Sequence, residues 1–171
     1  MGYQLAMNQA IGFGVMDDQM AAIRDLNRNL EFRKAIKHAI DGKAFAKAMS
    51  KGPFVSVYAG GIARDSAFFD ADATSFFPYN PAGANSILDG LGLIDTDGNG
   101  IRNLPNGGGD LVINLVSNKG SDNEKLIGDG MATMMAEVGI KINLKPMEDT
   151  EPTRQSGEWD WLLTRSQQEM A

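Results

Sequence analysis

The sequence predicts an α/β fold: a small mixed sheet with a parallel βαβ unit, flanked by helices. Three observations carry that expectation. Residues 111–116, Leu-Val-Ile-Asn-Leu-Val, form a short apolar run that fits a strand covered on both faces. Ile127, Met131, Met134 and Val138 then recur at helical spacing behind Asp122, read as the helix cap, and the pattern stops at Gly139. Ile140, Ile142 and Leu144 alternate with Lys141, Asn143 and Lys145, the pattern of a half-buried strand. Strand, helix and strand in so short a span require a right-handed crossover, so the two strands should be parallel.

The other elements follow from local chemistry. Asn29 is a good N-cap for a helix over 30–40, with Phe32, Ala35, Ile36, Ala39 and Ile40 on one stripe. Asp41 should cap a second helix that buries Ala44, Phe45, Ala48 and Met49 and is closed by Gly52-Pro53. Residues 17–26 read as a further helix. Residues 53–79 show no period, but Phe68, Phe69, Phe76, Phe77 and Tyr79 call for burial, so this stretch is read as an ordered excursion. Asn80-Pro81 opens a helix with its cap and N1 proline in place, and Ala84, Ile87, Leu88 and Leu91 form its inner stripe. Residues 159–164 are expected to supply a third strand, anchored by Trp159 and Trp161.

Composition narrows the function classes. The 171 residues carry a formal charge of −6, which disfavours a phosphate backbone, so nucleic acid is not an expected partner. There is no cysteine, which excludes thiol catalysis, zinc–cysteine sites and disulfides. No apolar stretch approaches the ~20 residues of a membrane-spanning helix. The first residues have neither the basic nor the apolar region of a signal peptide, so an exported parent would carry its signal upstream.

Catalytic constellations are hard to build. The sole histidine, His38, falls inside the 30–40 helix, and one helical histidine supports no nucleophilic triad. Gly107-Gly108-Gly109 lacks the Lys-Ser/Thr of a phosphate loop and reads as a turn. Asp95, Asp97 and Asn99 before Gly100 match the first half of a calcium loop, but the twelfth position is Asn106 rather than a bidentate glutamate. A metal-free turn, with Asp95 and Asp97 accepting backbone N–H groups, is expected there. Met131, Met134 and Met135 read as core.

Taken in order, several segments resemble the family 5 solute-binding proteins of ABC importers, the oligopeptide/dipeptide-binding type. Residues 29–41 are similar to the family's Phe-Arg-x-Ala-(x)3-Ala-Ile-Asp helix, followed by Lys51-Gly52. Residues 77–89 resemble its Tyr-(Asn/Asp)-Pro helix, and residues 92–103 its Gly-(x)2-Asp-x-Asp-Gly-x-Gly-Ile-Arg turn. Glu137-Val138-Gly139-Ile140 and Ser156-Gly157-Glu158-Trp159-Asp160 complete the series.

The resemblance implies a type II periplasmic-binding-protein-like lobe. Residues 1–171 would form a single domain, part of the C-terminal lobe of a two-lobed receptor, periplasmic or tethered at the cell surface. It implies no enzyme activity and no cofactor. The implied partners are a peptide or other small polar solute and the ABC permease subunits, with the receptor a monomer. In peptide-binding members a tryptophan and then an aspartate follow the strand that matches residues 159–164. Here Ser166 takes the tryptophan's place and Glu169 the acid's, so peptide and other polar solutes both stay open. By the rule that ligands sit at the carboxyl ends of strands, Arg165, Gln167, Gln168 and Glu169 are expected to face the solute, with Asn8 as a further candidate. The alternative from another class is a calcium-stabilised interaction module built on Asp95, Asp97 and Asn99. A hydrolase fragment would need a nucleophile or metal constellation that the sequence does not supply.

Overall fold

A computed structural model describes residues 2–49, 67, 70, 72 and 77–166. Four strands form one mixed sheet in the order β1-β4-β2-β3, with β1 Gly2–Met7, β2 Val112–Asn118, β3 Lys141–Met147 and β4 Trp161–Ser166. The predicted βαβ unit is present. β2 pairs parallel with β3 from Val112↔Lys141 to Asn118↔Met147, and the connection is helix α5, Asp122–Glu137. β4 pairs parallel with β2 and antiparallel with β1, where Tyr3 lies opposite Arg165 and Met7 opposite Trp161.

Before α5 come α1 Asp18–Arg28, α2 Leu30–Ala39, α3 Gly42–Met49 and α4 Pro81–Gly90. A short α6, Glu151–Ser156, joins β3 to β4. The caps are the ones the local sequence favours. Asp17 accepts from Met20 N, Asn29 from Glu31 N and Phe32 N, and Asn80 from Gly83 N. The Asp41 carboxylate accepts from Lys43 N at 3.1 Å and Ala44 N at 3.0 Å, as expected.

One core lies between the sheet and the helices. Ile113 and Leu115 of β2, with Trp161 and Leu163 of β4, meet Ile23, Phe32, Ile36, Ala84, Leu88, Ile127, Met131 and Met135, all buried. Met7, Leu5 and Tyr3 of β1 pack against the same cluster, as do Ile87 and Met134. Each large apolar side chain removed from water there contributes about 1.5–3 kcal/mol. The opposite face of the sheet shows Asn114, Lys141, Asn143 and Lys145, partly or fully exposed, beside the buried, register-matched pair Val116 and Leu162.

Several expectations are corrected, beginning with α3, where Ala46 is buried and Ala44 and Ala48 are exposed, while Phe45 and Met49 are partly buried as expected. Ser121, not Asp122, caps α5: its Oγ accepts from Glu124 N at 3.3 Å, and Asp122 is the first helical residue. The third predicted strand begins at Trp161 rather than at 159, because Asp160 and Asn8 fix the preceding turn. β1 and α6 were not anticipated. The Gly52-Pro53 stop and the side chains of Phe68, Phe69 and Phe76 lie outside the described residues, while Phe77 is half-buried and Tyr79 exposed.

Candidate functional site

The parallel strands β2, β3 and β4 all end at one edge of the lobe, and β1 begins there. This is the edge where open α/β sheets take ligands. Arg165 stands at that end of β4 with its side chain 48% exposed. Tyr3, its cross-strand partner, is half-buried and on the same face of the sheet. The first turn of α5 meets both. Ser121 Oγ accepts from Arg165 Nη2 at 3.3 Å, and Asn123 Nδ2 donates to the Tyr3 hydroxyl at 3.1 Å.

Beneath them lies a buried carboxylate. Glu124 is 5% exposed, and its Oε1 is 3.6 Å from Arg165 Nε while its Oε2 accepts from Asn118 N at 2.7 Å. Asn118 Oδ1 in turn accepts from Gly120 N, which shapes the β2–α5 turn. Sequence gives this arrangement a local cause. Ser121-x-x-Glu124 is a capping-box pattern directly after an apolar strand, though here Glu124 reaches back to Asn118 instead of the cap residue's own N–H.

The predicted site residues fare differently. Arg165 occupies the strand end as expected. Gln167, Gln168 and Glu169 lie outside the described residues. Asn8 sits at the other end of the sheet, one residue past Met7, so about 13 Å or more of strand separates it from Arg165. Its side chain is 7% exposed and engaged: Nδ2 donates to the carbonyls of Gly157 and Trp159, both at 3.1 Å, and Oδ1 accepts from Ala10 N. The structure therefore does not bring Asn8 and Arg165 together. Tyr3, Ser121, Asn123 and Glu124 were missed as site residues, and the capping-box spacing was the available signal for two of them.

At that far end a second polar cluster is buried. Arg24, 1% exposed, donates to the carbonyls of Ala10, Phe13, Gly157 and Trp159, at 3.2, 3.1, 2.6 and 3.2 Å. Burial lowers the pKa of this guanidinium from its ordinary value, and neighbouring Asp160 opposes that. Asp160 accepts from Asn114 N and Nδ2, both at 3.0 Å; burial raises its pKa, while those two bonds and Arg24 pull it down. Trp161 Nε1 donates to Asn27 Oδ1 at 2.9 Å, completing the cluster.

The Asp95 turn is built as expected. Asp95 accepts from Gly98 N and Gly100 N, both at 2.8 Å, and Asp97 from Asn99 N at 3.2 Å. Asn99 Nδ2 donates to Asp97 and Asp110. Backbone N–H groups thus take the carboxylate oxygens that a cation would need. Among the described residues no three His, Cys, Asp or Glu side chains are grouped to hold a metal. A cleft of about 320 Å³ opens beside this turn, between α4 and the end of α5. Its central Arg102 is consumed by Asp89, Asn85, the Val138 carbonyl and the Leu93 carbonyl, so it acts as a clamp. His38 is half-buried; its Nδ1 lies 2.8 Å from the Pro78 carbonyl and so carries a proton, and its ring meets Phe77 edge-on.

The described residues form a mixed α/β lobe with a polar wall at its strand ends. The chain belongs to the bacterial extracellular solute-binding proteins, family 5, whose middle-region model matches residues 1–170. It is 36% identical over 176 aligned positions to the periplasmic alpha-galactoside-binding protein of Rhizobium meliloti (strain 1021), covering 99% of this chain and 25% of that protein. It superposes with a TM-score of 0.90, at 37% identity, on the periplasmic binding protein MelB of Agrobacterium fabrum C58, solved with stachyose; 96% of this chain and 26% of that one are covered. The oligopeptide-binding protein OppA shares the fold, with a TM-score of 0.79 at 18% identity over 95% of this chain and 24% of that one. The chain thus spans about a quarter of the length of the relatives it matches. Among the described residues no helix is long and apolar enough to cross a membrane.

Proposed function

We propose that these 171 residues form part of the C-terminal lobe of a two-lobed receptor that delivers an oligosaccharide of the α-galactoside type to an ABC permease. The observation that carries this reading is identity of 36–37% along almost the whole chain to two proteins described as binding an alpha-galactoside or stachyose. Likeness to peptide-binding relatives is at the level of fold alone. The receptor works in the periplasm or at the cell surface, as a monomer, and binds its solute without transforming it. Arg165 with Tyr3 and the first turn of α5 makes one wall of the cleft, and the reading assigns further solute contacts to Gln167, Gln168 and Glu169. The same reading assigns Asn8 to holding the turn at the far end of the sheet.

Calorimetric titration of the receptor containing this lobe, with stachyose and with trialanine in parallel, tests the reading. Saturable heat with stachyose alone is the expected result; heat with trialanine alone would overturn it. Pockets of this kind enclose about 70–90% of a small ligand. One wall by itself should therefore bind stachyose orders of magnitude more weakly than the receptor does.

A further inference from the structure

We infer that Glu124 is a specificity-determining residue of this wall, neutralising Arg165 so that the surface made by Tyr3, Asn123 and Arg165 takes neutral sugar hydroxyls and rejects anionic solutes. The inference rests on the oligosaccharide reading and deepens it. It starts from the charge at the strand ends. Arg165 is the cation that the wall presents, and a solute carboxylate would be its natural partner. Glu124 already faces it, with Oε1 3.6 Å from Nε and a side chain only 5% exposed. A carboxylate held that deeply, and tied by its other oxygen to Asn118 N at 2.7 Å, cannot swing away when a solute arrives.

An anion approaching Arg165 therefore meets a pair that is already neutral, and a second carboxylate would repel the first at short range through a medium of low dielectric. What the wall still offers is oriented hydrogen bonding. Nη1 of Arg165 has no partner among the described residues, while Nη2 is pinned to Ser121 Oγ, so the planar fork is held in one orientation. The Tyr3 hydroxyl can donate its proton while accepting from Asn123. Whichever way the Asn123 amide is turned, one of its two polar atoms remains open. The Tyr3–Arg165 pair, cross-strand neighbours on one face, thus offers donors, and the Asn123 side-chain carbonyl oxygen beside it offers an acceptor. A sugar hydroxyl, donor and acceptor at once, matches such a row; a carboxylate, which only accepts, does not.

The test is an NMR titration of the isotope-labelled 171-residue chain with stachyose and with trigalacturonate, each raised to its solubility limit. In the wild type, stachyose should shift the resonances of Tyr3, Asn123 and Arg165, and trigalacturonate should leave them in place. Glu124→Gln keeps an oxygen for Asn118 N but removes the charge. It should strengthen trigalacturonate binding about tenfold or more relative to stachyose, reversing or abolishing the preference. Arg165→Lys, at an exposed position, is the companion variant: it keeps the charge but loses the planar fork, and should weaken stachyose while still rejecting the anion. Trigalacturonate binding the wild type as well as stachyose does would overturn the inference, as would Glu124→Gln leaving the preference unchanged. Stachyose shifts confined to another surface would overturn this subsite and leave the oligosaccharide reading standing. Stachyose moving no resonance of the chain would overturn this subsite, and the oligosaccharide reading is then decided by the calorimetric titration of the receptor.

Discussion

Replacing Arg24 by methionine keeps most of the side chain's volume and removes one buried charge. In the wild type its guanidinium serves four carbonyls, from Ala10, Phe13, Gly157 and Trp159. Gly157 O and Trp159 O retain Asn8 Nδ2 as a donor, but the Arg24 bonds are the side-chain bonds that Ala10 O and Phe13 O receive. Two carbonyls left without their donor cost about 1–3 kcal/mol each. Asp160, 2% exposed, also loses its neighbouring cation. Removing one member of a buried charged network commonly costs about 3–5 kcal/mol, in line with that sum. For a domain whose total stability is about 5–15 kcal/mol, this is a large share. Urea unfolding followed by the fluorescence of Trp161, which is fully buried, measures it directly. A loss below about 1 kcal/mol with an unchanged unfolding slope would refute the view that Arg24 locks residues 8–17 onto the β4 turn.

Other outcomes follow from the same geometry. Asp41→Ala should cost about 1 kcal/mol, the usual cost of losing a cap, in the same urea assay. Gly14→Ala should cost about 2–5 kcal/mol, since its φ is +70° and a Cβ would fall inside the Gly157 backbone; a thermal melt unchanged from wild type would contradict this. For Asp95, hydrogen bonds from Gly100 N and Gly98 N hold the carboxyl below its ordinary pKa. Its stabilising contribution is therefore complete above the unfolded value of about 3.9 and is lost as pH falls through the folded one. Melting-temperature differences between wild type and Asp95→Ala should shrink on acidification below about pH 4 and stay level above it. Asp160 has the opposite sign. Its raised pKa favours folding at low pH, and that contribution fades as pH rises through the folded value.

Much of the fold was legible because local and global preferences agree. The apolar run at 111–116, the stripe of Ile127 and Met131, and the alternation of Ile140, Ile142 and Leu144 each point to the element that the sheet requires. The cap of α5 was misplaced by one residue because Ser121 and Asp122 are both good caps; Glu124, three residues after Ser121, decides between them. Tyr3, Leu5 and Met7 do alternate, but six residues at a chain end give a weak period, so β1 was missed. The six residues of α6 are shorter than two helical turns and carry no period at all.

The site was legible only where a general rule reached it. Arg165 follows from the strand-end rule once β2 and β4 are parallel. Its neutralising partner Glu124 lies 41 positions earlier in the sequence, on a helix read as purely structural. Asn8 looked like a polar residue available to a ligand. The partners that occupy it, Gly157 and Trp159, lie 149 and 151 positions away, and only the folded chain brings them near.

Hydrogen exchange of the receptor with and without stachyose tests most directly where the solute sits. Bound sugar should slow exchange at residues 117–124 and 163–166, the strand ends and the first turn of α5, while residues 8–17 and 95–103 exchange as before. Protection confined to residues 8–17 or 95–103, with none at the strand ends, would contradict the account.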